Sequence, residues 1–479
     1  MNQRSAGQIS LQLLVFSTVA LSAVIGFVVW SSSLLNSSVR DFRKLLAFNI
    51  AEAGIEYYRW HLAHAPLDYQ DGTGAPGPYT HDYYDKSGSL IGTFTLDITP
   101  PLVGSRVVKI RSTGSLITDS SVEKSIEVRL GIPSLAKYAV AMNANVRFGA
   151  GTEVFGPIHS NGGIRFDGVG HNLITSVLSS YDDPDHDDID SPEHTWHPDN
   201  NLEFGVHTHD APVDPFPPAA MPSRPDVFMS GRQVGVPPVD FVGITQTLSQ
   251  MSADAQANGF YRASSTAYGY EVVFKTDDTF DLRRVTLLTS PPRYCTNSQG
   301  QSGWGTWTIS TSTLLGNYPL PANGIIFLED HVWVRGQIDG ARVAIAARNT
   351  LGTASITVNS DLLYTNYDGS DVIGLIAEYN FNTGLGSANV LRIDAALIAQ
   401  SGRAGRYYYG SSCGSSYIRS TLTLYGMIAS SQRYGFAYTN GTGYTTRNLT
   451  YDGNLLFGPP PSFPLTGDQY VQISWDEVK

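Results

Sequence analysis

The apolar positions of this chain change period twice. Between Arg4 and Arg40 there is no charged residue, and Leu13 to Trp30 (LLVFSTVALSAVIGFVVW) is interrupted only by small and hydroxyl side chains. As a helix these eighteen residues measure about 27 Å, and their uncharged flanks carry the apolar length past the ~30 Å hydrocarbon core of a bilayer. A helix satisfies its own backbone groups, which lipid cannot do. The pattern predicts a single membrane-spanning helix that contacts lipid through residues 9–35. Leu35, Val39, Phe42, Leu46 and Ala53 then recur at helical spacing, with Arg40, Arg43 and Lys44 between them. The helix is expected to continue as an amphipathic rod to His64 and to stop at Ala65-Pro66. Phe42, Leu46, Ile50 and Ala53 should face the strands that follow, and Arg43 and Lys44 should face water. The rival reading is a secretory leader cleaved near Ser31–Ser33; an amphipathic helix running straight through that point weighs against it.

Period two replaces period 3.6 after a Gly/Pro/Asp/Tyr-rich loop. Leu90–Ile98, Arg106–Ser112 and Val122–Leu130 read as three strands, with Val122, Ile126 and Val128 on one face. A small β-meander packed on the amphipathic half of the helix is expected.

A different phrase recurs from about Ala136: apolar, x, apolar, x, small, x, apolar. It reads Val332-Val334-Gly336-Ile338, Ile356-Val358-Ser360-Leu362, Leu391-Ile393-Ala395-Leu397 and Leu422-Leu424-Gly426-Ile428, with an earlier form at Val154-Gly156-Ile158. Each phrase is a strand with one inward face. The intervals are irregular, and second apolar strands such as RVAIAA and DVIGLIA stand between them. The favoured reading is a β-solenoid, similar to a parallel β-helix; the alternative is a β-sandwich with similar strands. Val334, Val358, Ile393 and Leu424 should then enter one continuous core. Residues 175–237, rich in Asp, His and Pro, read as a long exposed loop. Residues 241–258 read as a short helix through Phe241, Ile244, Leu248 and Met251. The organisation expected is mainly β: helix 1–65, meander 66–135, solenoid ectodomain 136–479.

Composition changes this picture little. Charged residues are 15% of the chain, with 47 Gly and 26 Tyr, which suits strands and turns. A net charge of −12 argues against general nucleic-acid binding, which needs cationic contacts to phosphate. The segment Met1–Gln8 carries Arg4 and no acid, which keeps it cytoplasmic and exports the C-terminal bulk; the basic residues at 40–44 act against that bias. A single-pass membrane protein with an extracytoplasmic C-terminal domain, at the cell surface or in a pilus, is expected.

The phrase LLAFNIAEAGIEYYRWHL, directly after a membrane helix, resembles PilX-type minor pilins and related pilus-assembly proteins. GPIHSNGGIRFDG (156–168), DVIGLIAEYNF, LRIDAALIAQ and the ending PPPSFPLTGDQY-x-x-ISW are similar to phrases of pilus-associated proteins with a β-helical ectodomain. The resemblance implies a non-enzymatic component of type IV pilus assembly or adhesion, with other pilin or pilus-assembly subunits and a prepilin peptidase as partners. The peptidase would cut after Gly7, so that Gln8 begins the mature chain. The family's glutamate at the fifth mature position is replaced by Gln12, which sets this chain apart. The alternative for Gly7 is a flexible cytoplasmic tail.

The candidate chemistry is sparse. Cys295 and Cys413 are the two cysteines; in an exported domain they could form a disulfide, the alternative being two unrelated thiols. Histidines and acids crowd 181–213. His207 and His209, two apart, share a face on a strand, and His194 and His197 lie three apart, so a metal site or a solvated loop are both open readings. Asp182, Asp183, Asp185, Asp187 and Asp188 are oxygen donors that suit calcium. Asp361, Asp371 and Asp394 fall near strand phrases without a catalytic spacing. No Walker loop is present, the glycines read as turn residues, and no cofactor is expected. The alternative function is a cell-surface carbohydrate-binding or carbohydrate-active β-helix protein, for which Tyr407-Tyr408-Tyr409 would matter if exposed.

Overall fold

The computed structural model describes residues 4–102, 106–184, 202–241, 243–467 and 469–478, without side chains at 4–8 and 244–246. The fold is mainly β, with one long apolar N-terminal helix and large sheets. It divides into two compact units.

The first unit comprises residues 1–100, 108–130 and 472–479. Its helix α1 spans Arg4–His64. The sheet contains β1 (Tyr79–Tyr84), β2 (Leu90–Thr99), β3 (Val107–Leu116), β4 (Asp119–Gly131) and the C-terminal strand Val471–Val478, in that order. Its first three strands pair antiparallel. Two of the five strands are additional to the three expected. Tyr79–Tyr84 falls in a segment whose composition says loop, and it is a strand because β2 offers it an edge. The last eight residues fall with this unit rather than with the ectodomain: Trp475 meets Phe48 with ring centroids 6.0 Å apart, and Lys124 pairs with Glu477.

Burial on α1 begins at Ala47. The buried stripe is Ala47, Ile50, Ala51, Ile55, Tyr58 and Leu62. Phe42 stays exposed, Leu46 and Ala53 are half-buried, and Arg43 pairs with Asp119 at 2.8 Å instead of facing water freely. The stripe is turned toward small residues because the sheet meets the helix through glycine. A Cβ on Gly114 would lie 2.1 Å from the Ala47 carbonyl oxygen and 2.5 Å from the Ala51 nitrogen, and one on Gly54 would lie 2.8 Å from the Phe94 ring. Side chains at these positions would hold the helix away.

The second unit, residues 101–107 and 131–471, contains long ladders of parallel strands. One runs Phe260–Arg262, Ile325–Leu328, Arg342–Ala347, Val372–Ala377, Val390–Ala399, Ile418–Ser430, Val140–Met142, Ile158–Ser160, Ile174–Ser176, Arg232–Val234, parallel at every step. The chain order is therefore broken in the middle, where strand 418–430 lies beside strand 140–142. After Val234 the chain must travel from one end of the ladder to the other. Nine steps of ~4.8 Å make about 43 Å. Residues 235–242 can reach about 27 Å extended, and α2 (Gly243–Asn258, 16 residues) adds about 24 Å. The connection is long enough with little slack. Asn161 fixes it on the way, donating to the Val239 carbonyl at 2.8 Å and accepting from the Val239 N–H at 2.9 Å.

A second ladder carries the recurring phrases. Leu391, Ile393, Ala395 and Leu397 pair with Leu422, Leu424, Gly426 and Ile428, position for position. Val332 pairs with Ile356, yet Gly336 pairs with Leu362, so two extra residues bulge between the first two phrases. Val334, Val358, Ile393 and Leu424 all lie in one buried cluster. The strands RVAIAA and DVIGLIA are buried on both faces. Their outer residues, Ala344, Ala346 and Ile376 among them, are covered by Leu248, Met251 and Ala255 of α2, by Val239 and Phe241 ahead of it, and by Phe463. Double coverage explains apolar runs without alternation. Beyond the Val332–Ile338 strand, Gly269–Phe274 continues the parallel ladder, and two antiparallel strands, Thr279–Leu288 and Ile309–Pro319, follow it.

Residues 175–184 and 202–237 are not an exposed loop. They include short strands, and Phe204, Val206, Val227 and Phe228 are buried with Phe166 and Ile174. Proline and aspartate serve here as turn residues between strands of two or three residues, too short to show periodicity. Asp185, Asp187, Asp188, His194 and His197 lie outside the described residues.

Two histidines of the second unit, buried His159 and half-buried His331, tie its stability to pH. Burial pushes the His331 imidazole below its ordinary 6.5, against the pull of Asp330, and its Nδ1 accepts the Ser355 N–H at 3.0 Å. Burial lowers His159 as well, opposed by its hydrogen bond to Asn161 and reinforced by Lys137. A folded-state pKa below the unfolded one means that the unfolded chain takes up protons first. The contribution is fully present above about pH 6.5 and is lost as pH falls toward the folded values, at up to about 1.4 kcal/mol per pH unit for each histidine. The expected result is a lower melting temperature at pH 5 than at pH 7. Pairing His159→Gln with His331→Gln should flatten that slope in parallel melts.

Candidate functional site

The uncovered half of α1 is the first candidate. Its most apolar eighteen-residue window has no residue buried. Phe16, Leu21, Phe27, Val29 and Trp30 are each about 60–75% exposed. The hydroxyl of Thr18 bonds back to the Val15 carbonyl at 3.2 Å, so an alcohol within this stretch already has a partner on the helix. Gly7 and Gln8 are both inside the helix, and Gln12 is exposed on it. The apolar surface and the docked half are one continuous helix, so whatever covers the first half is mechanically joined to the folded sheet.

The second candidate is a cluster on the short strands of 164–184 and 202–209. Strand Val146–Phe148, strand Ile164–Phe166 and strand Val206–His207 pair parallel. Strand Ser180–Tyr181 pairs antiparallel with Glu203–Phe204. These pairings bring Asp183 to His207 and His209: one ligand atom from each lies within 4.8 Å of the other two. His207 Nε2 is 3.4 Å from an Asp183 carboxylate oxygen. Asp183 and His207 are buried and His209 is half-buried. Arg165 lies beside them, its Nε donating to Asp167 at 2.8 Å and its Nη1 standing 3.8 Å from Asp183. The two-residue spacing of the histidines was visible in the sequence. The selection of Asp183 from five nearby aspartates was not, because it depends on the 180–181 strand pairing.

The remaining candidates hold structure. Cys295 and Cys413 form a disulfide, packed with Leu385, Tyr407 and Tyr409. The two outer tyrosines of Tyr407-Tyr408-Tyr409 are therefore buried rather than displayed; Tyr409 donates to the Gly305 carbonyl at 2.7 Å. Asp371 accepts three backbone N–H groups, from Ala341, Thr365 and Asn366. Asp394 accepts from the Tyr364 N–H, the Tyr367 hydroxyl at 2.6 Å and Arg392 Nε. Burial first, then this contact with Asp394, pushes the Tyr367 phenol up to about 12. Asp361 accepts the Arg392 N–H at 2.9 Å. Each of the three carboxylates is committed to groups on a neighbouring segment some thirty residues away in the chain.

No protein-family model and no curated protein matches the chain. Among solved structures, the crystal structure of the competence-associated pilin ComZ from Thermus thermophilus is similar at 13% identity and a TM-score of 0.32, over 91% of this chain and 98% of that one. A likeness at that score does not establish a shared fold.

Proposed function

We propose that this chain is a membrane-anchored, non-enzymatic, pilin-like component of a type IV pilus or a related export machine. The observation that carries the reading is α1 itself: a bare apolar half continuous with a half docked on an antiparallel sheet. Such a helix rests in lipid before assembly and packs against the apolar helices of other subunits afterwards, because both environments accept a surface without free backbone groups. The second unit, read as a solenoid of stacked coils, is the part displayed outside the membrane. The parallel ladders support that reading, as does the burial of Val334, Val358, Ile393 and Leu424 in one cluster.

The test is the mature N-terminus of protein taken from membranes and sheared surface fractions of the producing cell. A start at Gln8, abolished by Gly7→Val, is expected. A start near Ser33 would mean a cleaved leader and would end the anchored reading. An intact Met1 would leave an anchored surface protein outside the pilin pathway.

A carbohydrate-binding role is the second reading. It is favoured by a cleft of about 420 Å³ edged by Arg147, Arg433 and Arg447, whose guanidinium groups suit an acidic saccharide. Retention on an acidic-polysaccharide column that is lost in Arg433→Ala/Arg447→Ala would support it.

A further inference from the structure

We propose that Asp183, His207 and His209 bind one divalent ion of the zinc class. The inference is independent of the anchoring proposal and concerns the second unit alone.

Ligand type points to this class of ion. Two imidazoles and one carboxylate form a borderline set that suits zinc, nickel, cobalt or ferrous iron, whereas calcium takes six to eight oxygens. Geometry agrees. Around tetrahedral zinc with bonds of about 2.0–2.1 Å, ligand atoms stand roughly 3.4 Å apart. The His207–Asp183 separation is already 3.4 Å, and the remaining pairs lie within 4.8 Å. Closing those edges takes a torsional adjustment, and half-buried His209 is the ligand least restrained by packing. Among the described residues the set supplies three of the four ligands that tetrahedral zinc takes.

The backbone is held for this arrangement on both sides. The Asp183 N–H donates to Glu203 at 3.1 Å and the His209 N–H donates to Asp167 at 3.0 Å. Between the histidines, the Thr208 N–H donates to Asp214 at 3.1 Å, and Asp214 is itself gripped by Arg232. Each ligand-bearing segment is thus fixed by a buried carboxylate that is not itself a ligand, the kind of outer support that orients metal ligands.

Arg165 is the counter-argument, because its guanidinium lies 3.8 Å from Asp183 and can neutralise that carboxylate without a metal. Its shorter contact is to Asp167 at 2.8 Å, a bond it retains if Asp183 turns to an ion.

The experiment uses the full chain in detergent, stripped with EDTA and titrated with zinc chloride by calorimetry. One ion per chain is expected, with a melting temperature raised by about 4 °C at a hundredfold excess over Kd. His207→Ala/His209→Ala should lose both effects. His209→Gln, which leaves the buried His207 in place, should weaken binding at least tenfold and serves if the double variant does not fold. His194→Ala/His197→Ala should still bind one ion. No zinc uptake by the folded wild type, wild-type affinity retained in His209→Gln, or uptake lost in His194→Ala/His197→Ala would each overturn the assignment. Calcium chloride bound more tightly than zinc would overturn the ion class.

Discussion

Replacing Cys295 and Cys413 together by serine is expected to lower the stability of the second unit by about 3–5 kcal/mol. The two residues are separated by 118 positions, and closing a loop of that length removes conformational entropy from the unfolded chain worth about 5 kcal/mol at most in the chain-entropy model. Packing adds to the loss. Cys295 lies in the connection between strands 279–288 and 309–319, and Cys413 follows the buried Arg406–Tyr409 run. The bond ties these segments over Leu385, with Trp304 and Trp307 against the same cluster. Urea unfolding followed by tryptophan fluorescence, with and without reductant, measures the effect. A difference under 1 kcal/mol would show that the coils hold this region without the bond.

Gly114→Leu is expected to cost the first unit more than about 3 kcal/mol, at the upper end of overpacking penalties. A Cβ there would sit 2.1 Å from the Ala47 carbonyl and 2.5 Å from the Ala51 nitrogen. Both are helix backbone, so no side-chain rotation relieves the clash; α1 itself must lift off β3. The same substitution at Gly26, where a Cβ would meet nothing within 4 Å, should leave unfolding unchanged, since leucine is the better helix former. Protease sensitivity of the Ala47–Leu62 segment reports the lifting directly. Equal stability of the two variants would mean that the helix is held by its Arg43–Asp119 end rather than by close packing.

These two sites differ in how far the sequence announced them. The pair of cysteines was legible as a possible bridge, because an exported chain with two thiols allows one pairing. Gly114 was not: it is one of 47 glycines, and its meaning depends on which helix residue stands opposite. For the same reason the amphipathic half of α1 was recognised but its buried face was misjudged. Large residues such as Phe42 drew the stripe, while the sheet approaches through glycines and selects Ala47 and Ala51. The metal candidate divides likewise. His207 and His209 carried a spacing signal, whereas Asp183 joins them through pairing with residues twenty positions away.

Local pattern alone determined that one long helix changes from uniformly apolar to one-sided, that the remainder is built mainly on strands rather than helices, and that Val334, Val358, Ile393 and Leu424 face inward. Periodicity is a property of neighbouring residues, and it survives whatever the neighbours' partners are. Tertiary structure decided the order of the strands. Strand 418–430 stands beside 140–142, the α2 connection runs the length of the ladder, and Val471–Val478 returns to the first sheet. Parallel strands need no adjacency along the chain, only an edge of matching register and a connection long enough to reach it. Nothing in a strand's own alternation states which edge that is.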